Sequence, residues 1–446
     1  MMTDNITLIE GPIKNKIFKL ALPLMGASFF NTAYTLTDLF WIGTINTKAV
    51  AAAGLSGLFW WLSSSLMLIC QVGLAVTISQ NYGRGDIKAV KEYINSGYKL
   101  NFLISLVFCS ILFFFSRGLL SFFSIKDLQT YEYAIIYLSA LSVGIFINFT
   151  NFMFAVTFNA TGKSKITFII TAIGVVANII LDPIFIKVFD LGLLGAAIAT
   201  DLGVFIVFLL YLFLAKRMDA LYRNVNFRER ADWKKAWEIF KLGLPPAIQS
   251  AVHCMITMIL NVFVNDFGYF PVAAQSIGSE IESVSWLTSD GFSTANATFI
   301  GQNFGAKKYD RVKQGYRESF KIVFSVGMFA SLLLYFARYQ LMGLFLREKE
   351  ALELGALYLQ ILSFSQVFMA IDIATAGAFN GLGLTRPPSF VGICGNLLRI
   401  PLSLVLMPKF GVMGIWIAVS ATSIMKGIVQ VLWYKIASRK RLECLV

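Results

Sequence analysis

Charged side chains are scarce in this sequence. Only 14% of its 446 residues are Asp, Glu, Lys or Arg, and 57% are hydrophobic, whereas a soluble domain usually has about 25% charged residues. Apolar runs follow one another through short loops, and the only long polar stretch is 216–235. A soluble fold of this length has no means of burying so much apolar surface. The composition therefore indicates that a lipid bilayer surrounds most of the chain.

Residues that other classes of protein need are also missing. The chain has one histidine, and none of its five cysteines forms a CxxC pair, which argues against a disulfide framework and a metal site. The GxxxxGK[ST] loop of ATP-driven pumps and the HExxH and GxSxG motifs of hydrolases are absent. The net charge of +13 lies in short loops without interleaved aromatic residues. We therefore expect no enzyme activity, no cofactor and no nucleic-acid partner.

Long apolar runs predict the number of membrane spans, because a helix needs roughly 20 apolar residues to cross a bilayer. The runs predict twelve spans, with an error of one: residues 17–44, 49–80, 97–116, 131–159, 165–187, 192–215, 237–265, 271–301, 318–340, 351–380, 388–408 and 411–434. Lys and Arg are concentrated in alternate loops, and such loops stay in the cytoplasm. We expect an all-α, multi-pass protein of the cell membrane with both termini in the cytoplasm.

Short motifs recur in the two halves of the chain. LALP at 20–23 returns as LGLP at 242–245, and QNYG at 80–83 returns as QNFG at 302–305, both 222 positions later. Two further motifs, FNATG and GLLG, return as FNGLG and GVMG at displacements of 221 and 219. Six spans in each repeat predict two pseudo-symmetric lobes of the same orientation. The predicted division is an N-terminal lobe (1–215), a cytoplasmic linker (216–235) and a C-terminal lobe (236–446).

The order and spacing of these motifs resemble the multidrug and toxic compound extrusion (MATE) family. The pattern comprises a Lys-rich start, LALP, Asp38 within TDLFWIG, the QNYG and QNFG pair, and the stretch from Asn178 to Asp182-Pro183. It covers nearly the whole chain and is most similar to the DinF-like and MepA-like branch. The resemblance implies a twelve-helix antiporter, expected as a monomer, that exports small, largely cationic organic compounds by alternating access, using a proton or sodium gradient.

Three other functions are alternatives to the predicted antiporter. An exporter or flippase of a lipid-linked, polyketide or peptide metabolite in the same superfamily is the first alternative, although such a flippase is expected to have a strongly basic central cavity. The second is an intramembrane enzyme, for which a single histidine and the missing HExxH and GxSxG motifs give little support. The third is a major facilitator transporter, which differs from the leading prediction in how its helices pair.

Acidic residues inside the spans are the first candidates for a functional site, because a charged group near the centre of a membrane helix costs at least about 2.5 kcal/mol. Asp38 lies in the first predicted span and Asp182 in the fifth, where Asn178 precedes it by four residues and so shares its helical face. The family resemblance adds Thr200, Tyr34 and Asn151 to this cluster. A proton, or a sodium ion held by Asp38, Asn178, Asp182 and Thr200, is the predicted occupant.

The repeat supports this assignment independently of the resemblance. Aligning the halves sets Leu260 against Asp38 and Ile400 against Asp182, so these acids belong to the first lobe only. A scaffold residue should recur, whereas a single ion site need not. Prolines such as Pro23 recur in both halves and are predicted to bend helices. The alternative is a polar cluster that only holds helices together.

The second lobe has its own candidates, which are His253, Glu280, Asp372 and Arg399. A titratable imidazole at His253 is able to sense protons, although a hydrogen-bonded histidine between packed helices is the simpler interpretation. Together with Glu282 and Asp290, the acids either pair with Arg399 or line a substrate cavity. Spacing alone does not decide between these two interpretations.

Overall fold

The computed structural model describes residues 8–123, 127–218, 220–223, 225 and 229–443. These residues form helices and connecting loops, with no β-strand among them. The first nine helices are α1 (Ile13–Gly43), α2 (Thr47–Arg84), α3 (Ile87–Phe114), α4 (Ser116–Ser121), α5 (Leu128–Ala160), α6 (Ser164–Pro183), α7 (Gly192–Met218), α8 (Ala220–Arg223) and α9 (Trp233–Asn265). They are followed by α10 (Tyr269–Gly305), α11 (Tyr309–Phe336), α12 (Arg338–Gly343), α13 (Lys349–Ser363), α14 (Gln366–Gly381), α15 (Arg386–Leu397), α16 (Arg399–Phe410) and α17 (Val412–Glu443).

Each of the twelve predicted spans coincides with a long helix or with two consecutive helices. In the part of the chain that is described, nine stretches are long and apolar enough to cross a membrane, or ten when α13 and α14, which meet at 52°, count as one span. Helices α1 and α10 occupy the two remaining predicted spans but are too polar to satisfy the same test. The prediction of an all-α membrane protein is confirmed.

The helices pack into two compact units, and the division falls inside two helices. The first unit contains Gly26–Gly243, and the second contains Leu244 onward together with the segment that ends at Met25. The division therefore lies within α1 and α9, whereas the sequence suggested a boundary at the linker 216–235. Helix α1 starts in the second unit and ends in the first, and α9 does the reverse.

Close contacts of small residues explain this exchange of half-helices. In the first unit α9 lies directly on α2, since a Cβ added to Gly243 would stand 1.7 Å from the carbonyl oxygen of Ile69. In the second unit α1 lies on α10, since a Cβ added to Gly291 would stand 3.4 Å from the carbonyl oxygen of Ala21. The repeat displacement of 222 carries Ala21 to Gly243 and Ile69 to Gly291. Both units thus contain the same contact, with glycine on opposite helices.

The repeated motifs have the same local roles in both units. The side-chain amides of Asn81 and Asn303 each donate to the carbonyl four residues earlier, at 2.8 Å in both cases. Gly162 and Gly383 follow the FN motifs with φ of 85° and 75°, a left-handed conformation that favours glycine. The sequence repeat therefore marks helix ends and turns that both units need.

Alanine substitutions in the crossing of α2 and α9 should destabilise the protein. A Cβ at Gly243 or at Gly73 would lie 1.7 Å or 2.1 Å from a backbone oxygen of the facing helix, and such overpacking costs about 1–3 kcal/mol. We expect Gly243→Ala and Gly73→Ala each to lower the unfolding temperature in detergent. Gly57→Ala, in the same α2, is the control because nothing lies within 4 Å of its added Cβ. Equal unfolding temperatures for all three variants would contradict the proposed packing.

Candidate functional site

The end of α6 carries two of the predicted site residues. Asn178 and Asp182 lie one helical turn apart and are 1% and 0% exposed, and the Asn178 amide donates to Asp182 Oδ1 at 3.2 Å. Pro183 ends α6, and the five-residue π-helical turn Ile184–Val188 follows immediately. Proline supplies no backbone N–H, and single π turns are frequent at functional sites. The change of helical register therefore begins next to the Asp182 carboxylate.

Helices α1 and α7 bring further predicted residues to this place. The Tyr34 hydroxyl donates to Thr200 Oγ1 at 3.2 Å, which joins the two helices. Asp38 follows Tyr34 by one helical turn, and it is close enough to Asp182 for the two charges to interact. The charges of both carboxylates also act on Tyr34. Residues from α1, α6 and α7 thus share one polar site in the first unit.

Several oxygen atoms of this site have no hydrogen-bond donor. Asp38 Oδ1, Asn178 Oδ1 and Asp182 Oδ2 are all buried, and none of them has a partner among the described residues. Buried polar atoms are normally hydrogen-bonded, and two carboxylates in a poorly solvated place repel each other. Binding a cation removes both difficulties, because a proton supplies a donor and hard metal ions bind oxygen ligands.

Asn151 lies beside the same part of α7. Its side-chain amide donates to the carbonyl oxygen of Val204 at 2.9 Å, one helical turn after Thr200. Its own Oδ1 is buried and has no partner in the ranges that the structure describes. Asn151 therefore fixes α5 against α7 and leaves a further oxygen lone pair unused.

Two residues of the site escaped the sequence analysis. Asp201 follows Thr200 on α7, and its charge acts on both Tyr34 and Tyr137. Its carboxylate packs against α5 at Gly144, where an added Cβ would stand 2.0 Å from Asp201 Oδ1. The cost of a charge in an apolar run, which identified Asp38, applies equally to Asp201 and could have found it. Nothing in the sequence distinguishes Tyr137 from the other tyrosines.

The second unit contains a separate cluster of charged residues. Arg399 is 7% exposed, and its Nε and Nη2 donate to the hydroxyls of Thr422 and Ser423, both at 3.2 Å. Arg399 forms no ion pair within the described ranges, so the pairing that one of the two interpretations assumed is not present there. The ion pair joins other residues, since Lys426 Nζ lies 3.5 Å from Asp372 Oδ2.

The remaining predicted residues lie in different surroundings. The His253 side chain is exposed, but it lies close enough to Asn396 for a side-chain hydrogen bond and to Arg399 and Lys426 for their charges to act on it. Glu280 is also exposed, and no side-chain contact within the described residues joins it to the charged cluster. Pro23 lies inside α1, which continues as an α-helix on both sides of it. Its role in bending stays a prediction.

Comparisons with known proteins agree with the fold and the repeat. The family model MatE matches residues 23–184 and 245–405. A probable multidrug resistance protein NorM of Thermotoga maritima is 25% identical over 435 residues, covering 95% of this chain and 92% of that protein. The multidrug export protein MepA of Staphylococcus aureus is 23% identical over 425 residues, covering 93% and 92%. The crystal structure of a MATE protein in a bent conformation matches with a TM-score of 0.93 at 21% identity, covering 100% and 99%.

Replacing Asn178 by leucine should destabilise the first unit. The substitution removes the hydrogen bond to Asp182 Oδ1 and leaves a buried carboxylate without any donor from the described residues, at a cost of about 1–3 kcal/mol or more. We expect a lower unfolding temperature in detergent. The control is Thr35→Val in the same unit, whose exposed hydroxyl bonds only its own helix. An unchanged unfolding temperature for Asn178→Leu would show that the contact contributes nothing.

Proposed function

The chain belongs to the MatE (multidrug and toxic compound extrusion) family, and from this we propose that it is a secondary transporter that exports small amphipathic, largely cationic compounds in exchange for protons or sodium ions. Relatives named as multidrug resistance or export proteins support the export of drug-like compounds, whereas the cationic character of the substrates rests on the family resemblance. The observation that carries the coupling proposal is the group of oxygens on Asp38, Asn178 and Asp182 that have no hydrogen-bond donor among the described residues. The apolar helices and the family place the chain in the cell membrane as a multi-pass protein, and the distribution of Lys and Arg favours cytoplasmic termini.

Each residue of the site has a distinct part in this proposal. Asp38 and Asp182 bind the coupling cation, because their charges act on each other and binding relieves the repulsion. Asn178 orients Asp182 through its amide and offers its own oxygen to the ion. The Tyr34–Thr200 hydrogen bond holds α1 against α7 and so sets the position of Asp38.

Helix α1 offers a direct connection between cation binding and the second unit. Its second half carries Tyr34 and Asp38, whereas its first half packs within the other unit. The division falls at Met25 and Gly26, just after Pro23. Proline weakens the local helical hydrogen bonding. When cation binding shifts Asp38, α1 is therefore able to bend near Pro23. Alternating access driven through α1 is the proposed coupling.

The carboxylates of the site should be indispensable for gradient-driven transport. We expect Asp38→Asn and Asp182→Asn each to abolish efflux of a fluorescent cationic dye from proteoliposomes, because an amide neither takes up a proton nor supplies a negative charge. The matched control is Asp190→Asn, an exposed residue of the same unit at φ 53°, a conformation that asparagine tolerates well. Full transport by both site variants, with wild-type folding, would refute the assignment.

Separate gradients identify the coupling ion. A difference of one pH unit, or a tenfold sodium gradient, is worth about 1.4 kcal/mol for each ion and supports roughly a tenfold substrate gradient at one ion per substrate. Each gradient is imposed alone on the same proteoliposomes, with the membrane potential clamped. Accumulation driven by one of them names the ion. If neither gradient moves any dye, or only ATP does, the antiport proposal fails.

A further inference from the structure

Two N–H donors of the Arg399 guanidinium have no acceptor in the part of the chain that the structure describes. Its Nε and Nη2 bond the hydroxyls of Thr422 and Ser423, which takes one edge of the fork. The Thr422 hydroxyl donates its own proton to the Ala418 carbonyl at 2.8 Å, so towards Arg399 it acts as an acceptor. The other edge, formed by Nη1 and the second hydrogen of Nη2, has no acceptor among the described residues. Such an edge matches the two oxygens of a carboxylate.

The neighbouring charges leave Arg399 without an ion-pair partner. Lys426 is occupied by Asp372 at 3.5 Å and by Asn396 Oδ1 at 3.4 Å. Its stem crosses Gly395, where an added Cβ would stand 2.5 Å from Lys426 Cγ, so the lysine has little room to move elsewhere. The Asp372 carboxylate is therefore already neutralised. Arg399 remains as a cation that is bonded only to neutral groups.

Glu282, in the same unit, is a carboxylate whose hydrogen-bond donors are neutral. Its two carboxylate oxygens accept from the Gln366 amide at 2.8 Å and the Tyr358 hydroxyl at 3.4 Å. No cation forms an ion pair with it within the ranges described, although the charge of Arg399 acts on it at longer distance. The unit therefore holds one guanidinium and one carboxylate that are close enough to interact, while the hydrogen bonds of each within the described residues go only to neutral groups.

We infer that this charged cluster is a substrate-binding site for zwitterionic amphipathic compounds, with Arg399 binding the carboxylate and Glu282 attracting the cationic part. Both Arg399 and Lys426 retain some exposure, 7% for the arginine and 12% for the lysine side chain, so the cluster reaches a surface of the unit. His253 is exposed and lies close enough to both side chains for their charges to act on it. The inference rests on the proposed export function, and it names the class of substrate for that function.

A pair of dyes isolates the carboxylate. Rhodamine B carries a carboxylate beside its cationic ring system, and its ethyl ester keeps the ring system without the carboxylate. Binding is followed by fluorescence anisotropy with the purified full-length protein in nanodiscs and no gradient. We expect Arg399→Gln to weaken rhodamine B by about tenfold or more, the usual effect of losing a charged hydrogen-bonded partner, and to change binding of the ester less than twofold. Glu282→Gln should weaken both dyes, because both carry the cation.

The same anisotropy measurement with both dyes supplies the control variants and the results that would contradict the inference. Arg386→Gln removes an exposed arginine of α15 and should change neither affinity. Arg399→Lys keeps the charge, loses the fork and should give an intermediate loss, which also serves if Arg399→Gln does not fold. Equal loss of both dyes in the Arg399 variants, or no loss of rhodamine B, overturns the inference. Because binding needs no gradient, failure of ion-coupled transport in proteoliposomes is seen separately.

Discussion

A carboxylate held away from water needs a counter-charge or a set of hydrogen-bond donors. In the first unit the described residues satisfy this requirement only in part, and the proposed site depends on that shortage. Asp182 receives one hydrogen bond, from Asn178, and its second oxygen has no donor in the described part of the chain. The nearby Asp38 adds repulsion rather than relief. A purely structural cluster would be expected to satisfy these atoms. The deficit is of the kind that one small cation removes.

The duplicated scaffold explains where such a site is able to form. Both units contain the same close helix contact, at Gly243 on Ile69 and at Gly291 on Ala21, and both use the repeated asparagines at helix ends. These residues serve packing, so they recur. The acids of α1 and α6 have apolar counterparts in the second repeat. The residues that we propose for cation coupling are therefore among those in which the two copies differ.

The sequence predicted the helices and much of the first site, but not the way the units divide. Apolar runs identify spans because the bilayer imposes a minimum length, and the cost of a buried charge identifies Asp38 and Asp182. The exchange of half-helices depends on contacts between Gly243 and Ile69, which are distant in sequence and carry no periodic signal. The same holds for the second cluster, where spacing did not reveal that Lys426, and not Arg399, pairs with Asp372.

The polar cluster of the first unit and the charged cluster of the second unit differ in which groups lack a hydrogen-bond or ion-pair partner among the described residues. Among the described residues, buried carboxylate oxygens of the first unit lack donors, whereas in the second unit Arg399 has N–H donors without an acceptor and Glu282 accepts only from neutral groups. A transporter that bound its coupling ion and a cationic substrate on the same carboxylates would couple them by direct competition. In the proposed arrangement, the coupling ion binds to carboxylates of the first unit and the cationic substrate binds to a carboxylate of the second unit. In that arrangement coupling passes through the protein, and α1 and α9, which each belong to both units, are the helices that connect them.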